Sequence, residues 1–249
     1  MKLSRRIGRE AFGFLFLNIP LLGMFWLAHS ARTSPGGPWD PIINLGLFLA
    51  FAAPHSLLAR DFGRRLLASI VGEARVRRAY EVVAGVTLGA LVWWWRPLPG
   101  VLWHFGGAGY WLLNLVFVLG LAGMVYTARC FDMIEVLGLR NASAVPAGTP
   151  RLSVAGPYAY CRHPLYVGFF IALWATPAMT FGQLEFAVLC TAYLLIGSSL
   201  EERNLLADLG SEYELYCRNV PMWFPRLKPW RGSDGAVSPE GATPECDLG

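Results

Sequence analysis

The sequence predicts an all-α fold, a polytopic membrane helix bundle. Three observations predict it. The chain has 249 residues, of which 55% are hydrophobic and only 15% charged, with a mean hydropathy of +0.42. That is too apolar for an ordinary soluble domain. Apolar stretches long enough to cross a hydrocarbon core, which takes about 20 residues, recur along the chain. Arginines cluster in alternate connections while tryptophans crowd the others, the pattern of positive-inside loops and interfacial aromatic belts.

Four spans are expected in the first half, at 11–30, 41–59, 79–95 and 110–128. The first follows Lys2, Arg5, Arg6 and Arg9 as a signal peptide would. Its apolar run is too long for a signal core and lacks a small-residue cleavage site, so it reads as a retained helix kinked at Pro20. Between the second and third spans lie Arg60, Arg64, Arg65, Arg75, Arg77 and Arg78, set among small and apolar residues. A short amphipathic helix on an anionic leaflet fits them. Trp93, Trp94, Trp95, Trp103, Tyr110 and Trp111 are expected in an aromatic belt. The apolar region Leu165 to Leu200 exceeds one span. Thr176-Pro177 and Gly182-Gln183 supply turn chemistry inside it, which predicts a hairpin of two short helices, 165–178 and 184–200.

The count is then about six crossings. Arginine bias places the N-terminus, the 60–78 and 129–164 loops and the C-terminus in the cytosol, with a bacterial inner membrane as the expected location. One membrane domain covers 1–230: four spans in 11–128, then polar motifs and the hairpin in 129–230. Residues 231–249, rich in Gly, Ser, Pro and acids, are expected to be a disordered tail.

The net charge of +4 comes from basic clusters that fit membrane orientation, so nucleic acid is not an expected partner. The lipid bilayer is. The five cysteines, at 130, 161, 190, 217 and 246, show no C-x-x-C spacing and no disulfide framework. Cys161 and His163 alone do not make a metal site.

The segment Gly156-Pro157-Tyr158-Ala159-Tyr160-Cys161-Arg162-His163-Pro164-Leu165-Tyr166-Val167-Gly168 is the first chemical candidate. Gly156-Pro157 should form a turn. His163, preceding a proline, should be extended, and Pro164 should open a helix. The free N–H groups of that helix, with Arg162 and His163 beside them, suit an anion such as a carboxylate. Contact with lipid head groups is the alternative. Glu201-Glu202-Arg203 is the second candidate. Adjacent helical residues diverge by about 100°, so one glutamate can face inward, toward an ammonium group or a ribose diol, while the other meets water. Tyr213 and Tyr216 share a helical face, for packing or for cations and bases. Folding the apolar hairpin back joins the arginine–histidine turn and the twin glutamates in one chamber. Polar and charged side chains within hydrocarbon are costly unless they meet partners, water or a ligand.

The order GPYxxxRHPLYxG, hydrophobic hairpin, EERxLxxxxGxxYxxYxxxVPxxxP resembles the isoprenylcysteine carboxyl methyltransferase superfamily. The segments Pro54 to Arg60, Trp93 to Pro97, Phe131 to Arg140 and Trp174 to Thr180 are similar to those of its methanethiol S-methyltransferase branch. The first half also resembles NnrU-type membrane proteins. The resemblance implies methyl transfer from S-adenosyl-L-methionine to a small lipophilic thiol, methanethiol or hydrogen sulfide, at an intramembrane site with a cytosolic cofactor pocket. It implies that Arg162 and His163 hold the donor's polar head and that Glu201 or Glu202 holds its amino or ribose groups. Pro157, Tyr158, Pro164, Tyr166 and Tyr216 would line its pocket. The motif does not name the base. His163, Tyr166, Glu202, His55 and Asp132 are candidates, the last two on the substrate side, although a partnered structural histidine is the first reading of His55. A prenylated cysteine as acceptor and a non-enzymatic NnrU-type protein are the alternatives. The first would need a lateral tunnel of isoprenoid length.

Overall fold

The computed structural model describes residues 19–129, 154 and 156–231. Nearly all regular structure is helical: α1 over Ile19–His29, α2 Asp40–Leu58, α3 Asp61–Val71, α4 Val76–Trp94, α5 Gly107–Arg129, α6 Pro164–Trp174, α7 Phe181–Leu209 and α8 Ser211–Asn219. Of these, α2, α5 and α7 are long and apolar enough to cross a membrane. The chain is a helical membrane bundle. The expected span at 79–95 is part of α4, but α4 begins with Arg77, Arg78 and Glu81, which leaves fewer than 18 residues free of its charged start. A short antiparallel pair, β1 Val101–His104 and β2 Ala178–Thr180, joins the helices.

The described residues divide into two compact units, 19–111 with 176–190, and 112–129, 154, 156–175 with 191–231. In the first, α2, α3 and α4 pack on one another. α3 is the expected amphipathic helix. Gly63 and Leu67 are buried while Phe62, Leu66 and Ile70, at successive turns of one face, stand exposed. Asn44 is fully buried and closes a polar knot. Its Nδ2 donates to the Arg96 carbonyl at 3.0 Å and to Glu185 at 2.8 Å, and its Oδ1 accepts from the Arg96 N–H at 2.8 Å. Trp93, Trp94 and Trp111 are exposed as a belt requires, but Trp95 is not. It is buried with its ring edge-on to Phe186 at 5.2 Å, and Trp103 donates to the Thr176 carbonyl. Trp95 thus serves the core, while half-buried Trp103 ties β1 to the segment before β2.

The connection expected as a plain turn at 176–183 is more structured. β2 pairs with β1 through Val101–Thr180, Trp103–Met179 and His104–Ala178. Thr180 and Gln183 then bond reciprocally: the Thr180 N–H donates to Gln183 Oε1 at 2.8 Å, and the Gln183 N–H to Thr180 Oγ1 at 3.2 Å. This is a capping box, which satisfies free donors at the start of α7. So capped, α7 runs 29 residues, through Glu201-Glu202 and on to Leu209, where a helix ending near 200 was expected.

In the second unit, α6 lies antiparallel to the later part of α7. Trp174 near one end bonds Thr191 at 3.0 Å, while Tyr166 near the other bonds Glu201 at 3.0 Å. Against its other side α6 meets α5 at glycines. A Cβ on Gly168 would overlap Met124, and one on Gly120 would come 2.7 Å from Ile171 Cγ2. The helix backbones approach because neither residue has a side chain. Gly168→Leu is therefore expected to destabilise this unit by about 1–3 kcal/mol or more through overpacking, read as a lower thermal midpoint of the purified protein.

Candidate functional site

Gly156 takes a left-handed φ of 56°, open to glycine at little cost. It starts a 3-10 turn, Gly156–Ala159. His163 follows with φ −123° and ψ 57°, outside the helical region, as the residue before a proline must be. Pro164 occupies the first turn of α6, where a missing N–H costs nothing. The backbone of this turn is held by the segment after α8. Arg162 N–H donates to the Pro221 carbonyl at 2.9 Å, and His163 N–H to Met222 at 3.2 Å. Farther along, Arg226 N–H donates to Tyr160 and Trp230 N–H to Ala159, each at 3.0 Å. A C-terminal arm thus runs beside the turn.

The arginine–histidine turn and the twin glutamates meet. Arg162 grips Glu202 with both sides of its fork: Nε to Oε1 at 2.7 Å and Nη2 to Oε2 at 3.1 Å. Its Nη1 donates to the carbonyls of Cys217 at 2.9 Å and Val220 at 2.8 Å, free acceptors at the end of α8. Four of the five guanidinium donors are so engaged with protein. Burial disfavours the Arg162 charge, but Glu202 outweighs that and its pKa lies above the ordinary value. His163 Nε2 lies 3.1 Å from Glu202 Oε1. A carboxylate only accepts, so Nε2 is the donor in this contact, and Nδ1 lies 3.8 Å from Glu201 Oε2.

The two glutamates divide as adjacent helical positions do. Glu202 is inward, its side chain 19% exposed, and Glu201 is outward at 50%. Glu201 accepts from the Tyr166 hydroxyl. His163 stacks on Tyr166 at 5.3 Å, and Trp223 from the arm covers both, with centroids 5.3 Å from His163 and 6.3 Å from Tyr166. Phe170 meets the Trp223 edge at 5.2 Å. Trp223 joins this cluster from outside both polar motifs.

A groove of about 570 Å³ lies on another face of α6. Pro164, Val167, Gly168 and Ile171 line it, one helical stripe, while His163, Tyr166 and Phe170 form the stripe of the polar cluster. α5 contributes Leu119, Gly120, Gly123, Tyr126 and Thr127, the turn Pro157 and Cys161 among others, and the arm Pro225 and Pro229. Gly123 leaves open space where a side chain would stand. Of the expected pocket residues, only Pro157 and Pro164 line this groove.

Tyr216 sits beneath the turn. It is buried with Tyr213 and Val220 in a small core that includes Leu205, Leu209 and Trp230. Its hydroxyl donates to the Tyr158 carbonyl at 2.7 Å, which braces the turn from below. Burial first, and neighbouring charges second, push both phenols above their usual range. His55 sits in the first unit, with Tyr80 hydroxyl 3.2 Å from Nδ1 and Phe51 stacked at 5.2 Å. Asp132 lies outside the described residues.

Cys161 lines the groove but is buried, and burial pushes its thiol up to about 11 despite a hydrogen bond from the His163 backbone. At pH 8 roughly a thousandth of it is thiolate. N-ethylmaleimide at that pH is expected to label half-buried Cys217 well before Cys161, as peptide mapping by mass spectrometry would show.

Methanethiol S-methyltransferase 2 of Bradyrhizobium diazoefficiens is 38% identical over 205 residues, 80% of this chain and 78% of that one. The chain belongs to the methanethiol S-methyltransferase family. Family members from Mycobacterium tuberculosis, at 37% identity over 76% of this chain and 78% of theirs, and from Pseudomonas deceptionensis, at 31% over 85% and 84%, extend the match. No family profile matches the chain, and no solved structure does. The methanethiol S-methyltransferase family is one of methyl-transferring enzymes, so a methyl donor and a membrane setting go with membership.

Proposed function

We propose that the protein methylates a small thiol with S-adenosyl-L-methionine, converting methanethiol to dimethyl sulfide and hydrogen sulfide to methanethiol. One observation carries the reading: the Arg162–His163 turn meets Glu201-Glu202 at the end of α6, whose neighbouring face opens into an apolar groove. The residue set suits such a donor. Glu201 keeps carboxylate lone pairs for an ammonium or diol, and the rings of Tyr166 and Trp223 offer faces that attract a cation. When bound, the donor supplies an electrophilic methyl on a cationic sulfur.

In this reading Arg162 and Glu202 are positioning residues, because their polar atoms are satisfied by protein. Glu201, Tyr166 and His163 face the donor. Pro157 and Pro164 shape the groove that takes the thiol, and Tyr158 and Tyr216 brace the turn. The thiol proton goes to Nδ1 of His163, the ring nitrogen that does not bond Glu202 and that lies 3.8 Å from Glu201 Oε2. The thiolate would take the methyl as the donor's own sulfur–methyl bond breaks and the remaining neutral thioether leaves, so opposite charges would vanish, and a mainly apolar groove suits such a step. A multi-pass arrangement of about six crossings, with both termini cytosolic in an inner membrane, lets the polar donor arrive from the cytosol and the apolar thiol through lipid. His55 and Asp132 are not needed for it.

The test is headspace analysis for dimethyl sulfide after membranes holding the protein receive methanethiol and the donor. Donor-dependent production is expected. Its absence, with binding of S-adenosylhomocysteine intact, would point to another acceptor such as a prenylated cysteine; absence of both would point to a non-enzymatic role.

A further inference from the structure

The C-terminal arm, residues 221–231, carries two side chains that the fold does not use. Leu227 is 99% exposed and Phe224 84%, among the most exposed large apolar residues described. They are not on a loose end. The arm is tied to the turn on both sides of them, by Pro221 and Met222 carbonyls accepting from Arg162 and His163 and by Arg226 and Trp230 N–H groups donating to Tyr160 and Ala159. Pro221, Pro225 and Pro229 further restrict its backbone. A segment so ordered holds its apolar side chains outward persistently, at a cost in water.

The charges beside them are of one sign. Arg226, Lys228 and Arg231 alternate with the apolar residues, and no Asp or Glu occurs from Pro221 to Arg231. Arg226 also donates to the Asn219 carbonyl at 2.7 Å, which anchors the base of the arm. Apolar tips between basic side chains match the boundary of a bilayer with anionic head groups, where acyl carbon and phosphate lie within a few ångströms of each other.

We propose that this arm is a membrane-surface anchor: Phe224 and Leu227 enter the acyl boundary while Arg226, Lys228 and Arg231 take anionic lipid head groups. The consequence reaches the site. The same arm lays Trp223 on His163 and Tyr166 and lends Pro225 and Pro229 to the groove. Lipid that seats the arm also holds two walls of the site.

The experiment is hydrogen exchange by mass spectrometry on the full chain in nanodiscs, of phosphatidylcholine alone or with phosphatidylglycerol. The amides of Arg226 and Trp230 report seating, because each is bonded across to the turn. Exchange of the 222–231 peptide is expected to be roughly ten-fold slower with phosphatidylglycerol. That protection should be lost in Phe224→Ser/Leu227→Ser and in Arg226→Gln/Lys228→Gln, while Leu227→Trp, which keeps an interfacial side chain, retains it. Exchange in a peptide of α7 serves as the check that each variant is folded. Equal exchange in the two lipids, or variants that exchange like the parent, would overturn the proposal. Protection that follows the number of protein copies per disc rather than the lipid would assign the surface to a second copy and overturn it too.

Discussion

Glu202→Ala is expected to abolish thiol methylation and to lower the thermal midpoint by several degrees. Glu202 meets three donors, two from Arg162 at 2.7 and 3.1 Å and one from His163 at 3.1 Å. Removing it leaves a guanidinium whose side chain is only 11% exposed without its counter-charge. Breaking a fully buried pair this way costs about 3–5 kcal/mol. With 19% of Glu202 exposed, water recovers part of that, and about 2–4 kcal/mol is the expected loss. The damage spreads because Arg162 also holds the carbonyls of Cys217 and Val220. A tilted guanidinium frees the end of α8 and the arm beside it. Arg162→Ala should therefore do at least as much harm, and Glu202→Gln, which keeps one acceptor oxygen, less. Thermal denaturation of the purified variants, beside calorimetry with S-adenosylhomocysteine, checks this. A Glu202→Ala protein with the parent's midpoint would remove the clamp from the account.

The contact that carries this prediction was legible in the sequence as two polar islands at the ends of an apolar hairpin, since only fold-back can partner them. The division between Glu201 and Glu202 was legible as geometry, but its direction was not, because helical phase depends on where α7 starts. That start is set by the capping box of Thr180 and Gln183, a T-x-x-Q pattern visible in the chain but hidden among what looked like turn residues. With the cap in place the helix runs on to Leu209. Arg162 illustrates a different limit. Its residue type suits a ligand's carboxylate and a protein's carbonyls equally, and only coordinates show that Cys217 and Val220 claim the donors. Tyr216 repeats the point: its spacing with Tyr213 fits packing and ligand contact equally, and only the fold shows its hydroxyl donating to the Tyr158 carbonyl. The groove was least legible. It arises from Gly120 and Gly168 letting two helices approach and Gly123 leaving space beside them, and small residues in apolar helices carry no label for the cavities they make.

Glu201→Gln is expected to separate binding from folding. The Glu201 side chain is half exposed and makes one hydrogen bond, to Tyr166, which glutamine's carbonyl oxygen can still accept. The thermal midpoint should stay close to the parent's, since an exposed group with one neutral donor contributes little. Donor binding should not. If Glu201 takes the ammonium or ribose of S-adenosyl-L-methionine, the variant replaces a charge-assisted bond with a neutral one, roughly half as strong. The loss of about 0.8–1.5 kcal/mol corresponds to a roughly 4- to 13-fold weaker affinity. Calorimetry with S-adenosylhomocysteine reads it directly. Tyr166→Phe gives the companion result: it frees Glu201 from its one protein donor, and affinity falls only to the extent that the bond holds the carboxylate in place. The contrast with Glu202 is the decisive part. Two neighbouring glutamates should fail in different ways, one by loosening the protein and the other by loosening its grip on the donor. A Glu201→Gln protein that binds as tightly as the parent would place the donor's polar groups elsewhere, and the face of α6 that lines the groove would be the place to look.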